Sequence, residues 1–230
     1  MNDVSKYNGL LRESRFVIKR YNMMPVYQDD EIAAVTDQHY FLMDLYFSKI
    51  INERRPEMHF DIGSRVDGFI AQLLSAGRSV TLLDIRPFPI EIPNLKFVQT
   101  DATSLNEIQD NSIGSISSLH AIEHFGLGRY GDSIDPYAWE KALMSIQSKV
   151  KRGGFFYLAV PIANHDEVYF NAHRVFEPKS IINVLTEMEL VSFAYISNYR
   201  IIVPNKELTI DLITEELGEY DCGLFCFKKM

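Results

Sequence analysis

His120, Glu123 and His124 lie within five residues of one another, in a stretch reading SSLHAIEHFGLGRYGDSIDP from Ser117 to Pro136. Two imidazoles and a carboxylate so close can serve two kinds of chemistry. On a helix, H-x-x-E-H puts both histidines on one face for a zinc ion, with the glutamate as base, as in inverted zinc proteases. At the end of a strand, the same residues can line a ligand site. There a neutral imidazole has a pKa suited to taking a proton near neutral pH. The context favours the second reading. The strand-like run SISSL precedes the stretch, and Gly126, Gly128 and Gly131 follow. Barely one helical turn fits, and a third metal ligand would have to come from elsewhere, so no metal site is expected.

Further downstream, PIANHDEVYFNAHRVFEP supplies His165, His173 and Arg174, and the glycine-rich stretch itself supplies Arg129 and Tyr130. Arginine suits a carboxylate or phosphate through paired hydrogen bonds. The plainer alternative stands beside it: a solvated loop with a structural arginine, and histidines packed against one backbone partner each.

These residues need elements to position them. DDEIAAVTDQHYFLMDLYFSKIINERRP reads as a helix, with Leu42, Leu45, Tyr46 and Ile50 at helical spacing and Pro56 just past its end. The chain then alternates. MHFDIG is a strand, Asp67 to Ala76 a helix, SVTLLDI a strand, LKFVQTD a strand, Ser104 to Ile108 a turn or short helix, and SIGSISSLHA a strand. A helix over 136–150 leads to a turn at Gly153-Gly154, the strand FFYLAVPI, a helix over 178–188, and the strands LVSFAYIS and CGLFCFKK. This order predicts an α/β fold: a doubly wound, mostly parallel sheet of about seven strands. Residues 1–56 form an N-terminal helical extension or lid in which His39 and Tyr40 are lid candidates, and residues 57–230 form the main domain.

In such sheets ligands sit beyond the carboxyl ends of the strands. Asp61, Asp84 and Asp101 close the first three strands. One such aspartate would be an ordinary turn residue; three at one sheet edge point to a ligand. A carboxylate after the second strand is placed to accept from ribose hydroxyls. DIGSRVDG has Gly63 and Gly68 but no G-x-G-x-x-G, which argues against a dinucleotide and leaves room for a nucleoside without pyrophosphate.

The succession FDIGS, LLDI, QTDA, SSLHAIEH and VKRGGFFYLAVP resembles the class I S-adenosylmethionine-dependent methyltransferases over 59–161. The stretches EHFGLGRYGDSIDP and FNAHRVFEP resemble most closely a methyltransferase-like family of unsettled function. The resemblance implies that Asp61, Gly63 and Ser64 cradle the methionine end of S-adenosyl-L-methionine. Asp84 would hold the ribose with Ile85 against the adenine, Asp101 and Ala102 would contact the adenine edge, and Leu119 and His120 would line the sulfonium. His120, Glu123, His124 and His173 are then the catalytic candidates, and Arg129, Tyr130, His165 and Arg174 the acceptor contacts. The sequence departs from the family where Arg65 and Asp67 replace small residues of the first loop. The expected activity is methyl transfer to a small polar acceptor, an oxygen of a carbohydrate or nucleotide-activated sugar. Two alternatives remain: a metal-dependent O-methyltransferase using Glu123, His124, Asp132 or Asp166, and a non-catalytic cofactor- or partner-binding module.

The bulk numbers exclude some partners. A net charge of -8 with only isolated basic pairs disfavours nucleic acid. No apolar run reaches membrane-spanning length, and MNDVSKYNGLL lacks a signal-like apolar core, so a cytoplasmic protein is expected. Cys222 and Cys226 lie about 13 Å apart on a strand, too far to pair, and read as two buried apolar thiols. The oligomeric state is left open.

Overall fold

A computed structural model describes residues 38–204 and 214–230. The described residues all belong to one compact unit, Asp37–Met230. The first part of the expected N-terminal helix lies outside them. The rest forms α1, Gln38–Arg54. Its buried stripe is Met43, Phe47 and Ile51, while Leu45 is 45% exposed. The stripe thus lies one residue away from the expected one. Apolar residues occur nearly all round this helix, so periodicity alone could not choose its face. Met43, Phe47 and Ile51 of α1 pack into the core of this unit.

The sheet has eight strands among the described residues, in the order β3-β2-β1-β4-β5-β10-β8-β9. They are β1 His59–Ile62, β2 Val80–Asp84, β3 Leu95–Gln99, β4 Ile113–Leu119, β5 Val150–Ile162, β8 Met188–Ser197, β9 Arg200–Ile202 and β10 Asp221–Lys229. The first five run parallel. β10 is antiparallel to both β5 and β8. A hairpin of β6 Glu167–Tyr169 and β7 His173–Val175 stands apart as a two-stranded sheet. The extra strand relative to expectation is β9, which folds back on β8 through Asn198 and Tyr199, both at positive φ. A two-residue turn with both residues left-handed matches the twist of paired strands, but no Asn-Gly marks it in the sequence.

Helix α2, Ala71–Ser75, is preceded by a wider turn at Val66–Ile70. Helix α3 is Ala138–Lys149, and α4, Pro178–Val184, ends earlier than expected. Gly153-Gly154 is not a turn between helix and strand. It lies inside β5, where the pairing with β4 shifts register. A Cβ on Gly154 would meet the Ile113 and Lys151 carbonyl oxygens at 2.9 Å each, so this bulge requires glycine.

The two faces of the sheet separate cleanly. Phe156, Leu158 and Val160 of β5 join Phe225, Phe227 and residues of α3 and α4 in one cluster. Tyr157 and Ala159 join Cys222, Leu224, Cys226 and residues of α1 and α2 in the other. This alternation is the period of two expected of a strand covered on both faces.

One polar network crosses the core. The His59 ring meets Ser115 Oγ at 2.8 Å and Ser117 Oγ at 2.9 Å, and Ser117 Oγ donates to Asp61. Both His59 and Asp61 are fully buried. Burial drives the His59 imidazole down to about 3 and pushes the Asp61 carboxyl up to about 6, with Ser117 and Ser64 pulling the latter back. Below the ordinary histidine value of 6.5, the unfolded chain takes up a proton that folded His59 refuses, so stability falls as pH drops toward 3. Asp61 acts oppositely. Its contribution is fully present below 3.8 and is lost as pH rises through about 6. His59→Asn removes the first effect and leaves the second. Urea unfolding at stepped pH should show the variant gaining on wild type as pH falls from 6.5 to about 4, by at most about 1.4 kcal/mol per pH unit. A difference independent of pH would refute the assignment.

Candidate functional site

The carboxyl ends of β1 to β4 open onto a cavity of about 260 Å³. Gly63, Asp84, Ile85, Asp101, Ala102, His120, His124 and Tyr130 all line it, so the structure brings these expected residues together. Asp61, Ser64, Leu119, Glu123, Arg129, His165, His173 and Arg174 are not in the wall.

Asp61 shapes the first loop rather than facing a ligand. It accepts from Ser64 N–H at 3.1 Å and Ser64 Oγ at 2.9 Å. That turn places Gly63 at φ +69, where an added Cβ would lie 3.1 Å from Ala121 Cβ. The loop therefore needs one glycine at its closest approach. Arg65 and Asp67 do not obstruct it: they pair with each other at 2.7 Å, about two-thirds exposed. Gly68 has a separate reason. A Cβ there would overlap the carboxylate of Asp44 on α1. Asp44 is buried, and burial raises its carboxyl to about 7.

Asp84 ends β2 with its carboxylate held by Arg86. Arg86 donates from Nη2 at 2.7 Å, from Nε at 2.9 Å and from its backbone N–H at 2.8 Å. The same guanidinium lies over the Tyr130 ring at 4.7 Å. The sequence reading missed Arg86, although its position two residues after a strand-end aspartate was visible. Asp101 Oδ1 accepts from Thr103 N–H and Oγ1, each at 2.8 Å.

β4 is followed by a positive-φ residue, His120, at φ +53. One ring nitrogen, Nδ1, meets Glu123 Oε1 at 2.8 Å, and Nε2 meets Cys222 Sγ at 3.4 Å. Burial favours a neutral His120 ring, but Cys222 and Glu123 outweigh it and hold the ring well above its ordinary value. Both nitrogens are thus engaged, which leaves His120 poorly placed as a base. Cys222 is correspondingly more than an apolar filler; Cys226 also has a polar partner, accepting from Arg54 at 3.2 Å.

His124 differs. Its Nδ1 lies 2.6 Å from the Ala172 carbonyl, so that nitrogen carries a proton, and in the neutral tautomer the lone pair is on Nε2. Glu123 Oε1 is 3.7 Å from Nε2. The Glu123 side chain is 2% exposed, and its Oε2 lacks a hydrogen-bond partner. It is a buried positioning group between two histidines. His173 sits beside this pair, with its ring 6.4 Å from that of His124 and 5.4 Å from that of Tyr220. Burial, the largest influence, lowers its pKa.

Three expected acceptor contacts are elsewhere. Arg174 is 8% exposed and donates to backbone carbonyls: Phe125 at 2.6 Å, Glu123 at 3.4 Å and Pro136 at 3.4 Å. It ties the loop after β4 to β7. Arg129 donates to the Ala172 carbonyl at 3.0 Å, and His165 is exposed beside Asn164. Two residues of the alternative metal set are engaged in loop and helix-start bonds. Asp132 accepts from the N–H groups of Gly126, Gly128 and Tyr130, while Asp166 accepts from Glu177 N–H and Ser180 Oγ at the start of α4.

A family described as a Caenorhabditis protein of unknown function, DUF268, matches residues 94–221, more than half of the chain. The chain belongs to this family. Its matched stretch runs from β3 to the start of β10 and so includes His120, Glu123, His124 and Arg174. Among solved structures, the chain is similar to a 1,6-didemethyltoxoflavin-N1-methyltransferase of Burkholderia thailandensis. They share 16% identity and a TM-score of 0.57, over 83% of this chain and 79% of that one. It is similar to a TehB-like methyltransferase of Corynebacterium glutamicum at 15% identity and TM-score 0.53, over 80% and 86% of the two chains. The N-methyltransferase NodS of Bradyrhizobium japonicum matches at 14% and 0.53, over 82% and 85%. Identities this low show the fold, and the fold of this DUF268 chain is that of the class I methyltransferases. A search of curated proteins returns no match. Among the described residues no helix is long and apolar enough to cross a membrane.

Arg174→Met leaves buried carbonyls without their donor, and should destabilise the protein by about 2–3 kcal/mol in denaturant unfolding. A surface contact to an acceptor would leave the unfolding midpoint unchanged.

Proposed function

We propose that this chain is an S-adenosylmethionine-dependent methyltransferase acting on an oxygen of a small polar acceptor. The observation that carries the reading is a cavity that gathers Gly63, Asp84, Asp101, Ala102 and His124 at the ends of four parallel strands. The donor set suits the cofactor. Asp84 can accept from ribose hydroxyls once Arg86 yields, Asp101 and Ala102 line the same cavity and could meet an adenine edge, and Gly63 keeps the first loop close to Ala121. When bound, the cofactor supplies an electrophilic methyl group.

The protein's own residues hold the acceptor and receive its proton. Methyl transfer is an in-line displacement, so position accounts for most of the acceleration. His124 is the base we assign: the Ala172 carbonyl holds the neutral tautomer with its lone pair on Nε2, which can accept an acceptor's hydroxyl proton. Glu123, fixed between His120 and His124, would steady the imidazolium that results. The same cavity is lined by Tyr130 and Ser133, whose hydroxyls match a hydroxyl-rich acceptor such as a sugar.

Calorimetry tests the first half. S-adenosylhomocysteine should bind, and Asp84→Ala should weaken it by about 1.5–3 kcal/mol. Binding of NAD in place of S-adenosylhomocysteine would overturn the reading. For the second half, labelled methyl donor is offered with sugars and sugar nucleotides. His124→Ala should slow single-turnover transfer by about 10²–10⁴-fold with S-adenosylhomocysteine affinity unchanged. Near wild-type transfer by that variant would remove His124 as the base.

A further inference from the structure

His39 from α1, His120 from the end of β4 and Cys222 from the start of β10 meet at one point, although they are widely separated in sequence. One ligand atom from each lies within 4.8 Å of the other two. Cys222 Sγ and His120 Nε2 are 3.4 Å apart. Two ligands of a tetrahedral zinc ion, one nitrogen and one sulfur, sit about 3.6 Å apart given usual bond lengths, so this pair already has the required spacing. His39 and His120 stack with ring centroids 5.8 Å apart and planes 2° from parallel. A modest inward shift of His39 would close the set.

We propose that His39, His120 and Cys222 bind a zinc ion at the edge of the cavity. Thiolate and imidazole together select a borderline-soft ion over magnesium or calcium. A second, independent feature supports the site. Glu123, buried and bonded to His120 Nδ1 at 2.8 Å, is the carboxylate that commonly orients a metal-binding histidine through its other nitrogen. The charges balance as well: one thiolate and one carboxylate neutralise a divalent cation. Tyr220 stacks on His39 at 5.6 Å and Tyr40 tilts against His120 at 5.1 Å, so aromatic rings pack against both imidazoles. The ligands come from three distant segments, so the site exists only in the folded chain, and the ion would fasten α1 to the cavity floor. Three protein ligands leave a fourth position for water or an acceptor atom.

The test uses the full chain, stripped with chelator and titrated with zinc or cobalt(II) alone. One equivalent should bind. Cobalt should give a thiolate charge-transfer band and the intense visible bands of a tetrahedral ion. Cys222→Ser should abolish the charge-transfer band while Cys226→Ser, whose thiol faces Arg54, keeps it. Glu123→Gln should lower zinc affinity by about 10–100-fold. Should Cys222→Ser misfold, His39→Ala, checked by circular dichroism, must also lose stoichiometric metal. A folded wild-type chain that binds no metal, or a folded His39→Ala or Cys222→Ser that binds it as wild type does, overturns the proposal. Titrating the stripped protein with S-adenosylhomocysteine keeps this outcome separate from the methyltransferase reading.

Discussion

The bond chain from His59 through Ser117 to Asp61 is the constraint on which the site depends. It fastens β1 to β4 at a depth where neither imidazole nor carboxylate can be solvated. A buried polar group is tolerated only when it is bonded, so the network admits one register between these strands. From that register everything at the carboxyl edge takes its place. Asp61 bends the loop that carries Gly63, and β4 delivers His120 two residues beyond the Ser118 that pairs with Ile62.

Beyond β4 the chain is held by hydrogen bonds to its own backbone more than by regular structure. Arg174 gathers carbonyls from three parts of the loop, and Asp132 gathers N–H groups from the same loop. Together they convert a glycine-rich segment into a fixed wall. Glu123 then has a settled position from which it touches His120 and approaches His124. The rigidity of the site is supplied by residues that never reach a ligand.

Much of this edge was legible in the sequence, and the reason is topological. Alternating strands and helices locate the carboxyl ends of the strands, so Gly63, Asp84, Ile85, Asp101, Ala102, His120 and His124 could be placed without coordinates. Direction was harder. Asp61 lies two residues before Gly63 yet points into the core, and Arg174 looks like any loop arginine until its carbonyl partners are seen. The meeting of His120 with Cys222 spans 102 positions and leaves no local pattern. Gly153-Gly154 read as a turn because paired glycines usually mark one; only the shifted pairing with β4 shows a bulge. β9 escaped because Asn198 and Tyr199 adopt a glycine-like conformation without glycine.

The clamp of Arg86 on Asp84 has a consequence for ligand traffic. Any molecule that reaches for the Asp84 carboxylate meets a guanidinium already bonded there and braced by Tyr130. The protein thus carries its own internal competitor. The affinity observed for such a ligand is the intrinsic one scaled down by the fraction of molecules in which the arginine has swung away. A site occupied by its own side chain between visits is less filled at equilibrium at a given ligand concentration, and fills more slowly, than an open cavity built from the same contacts.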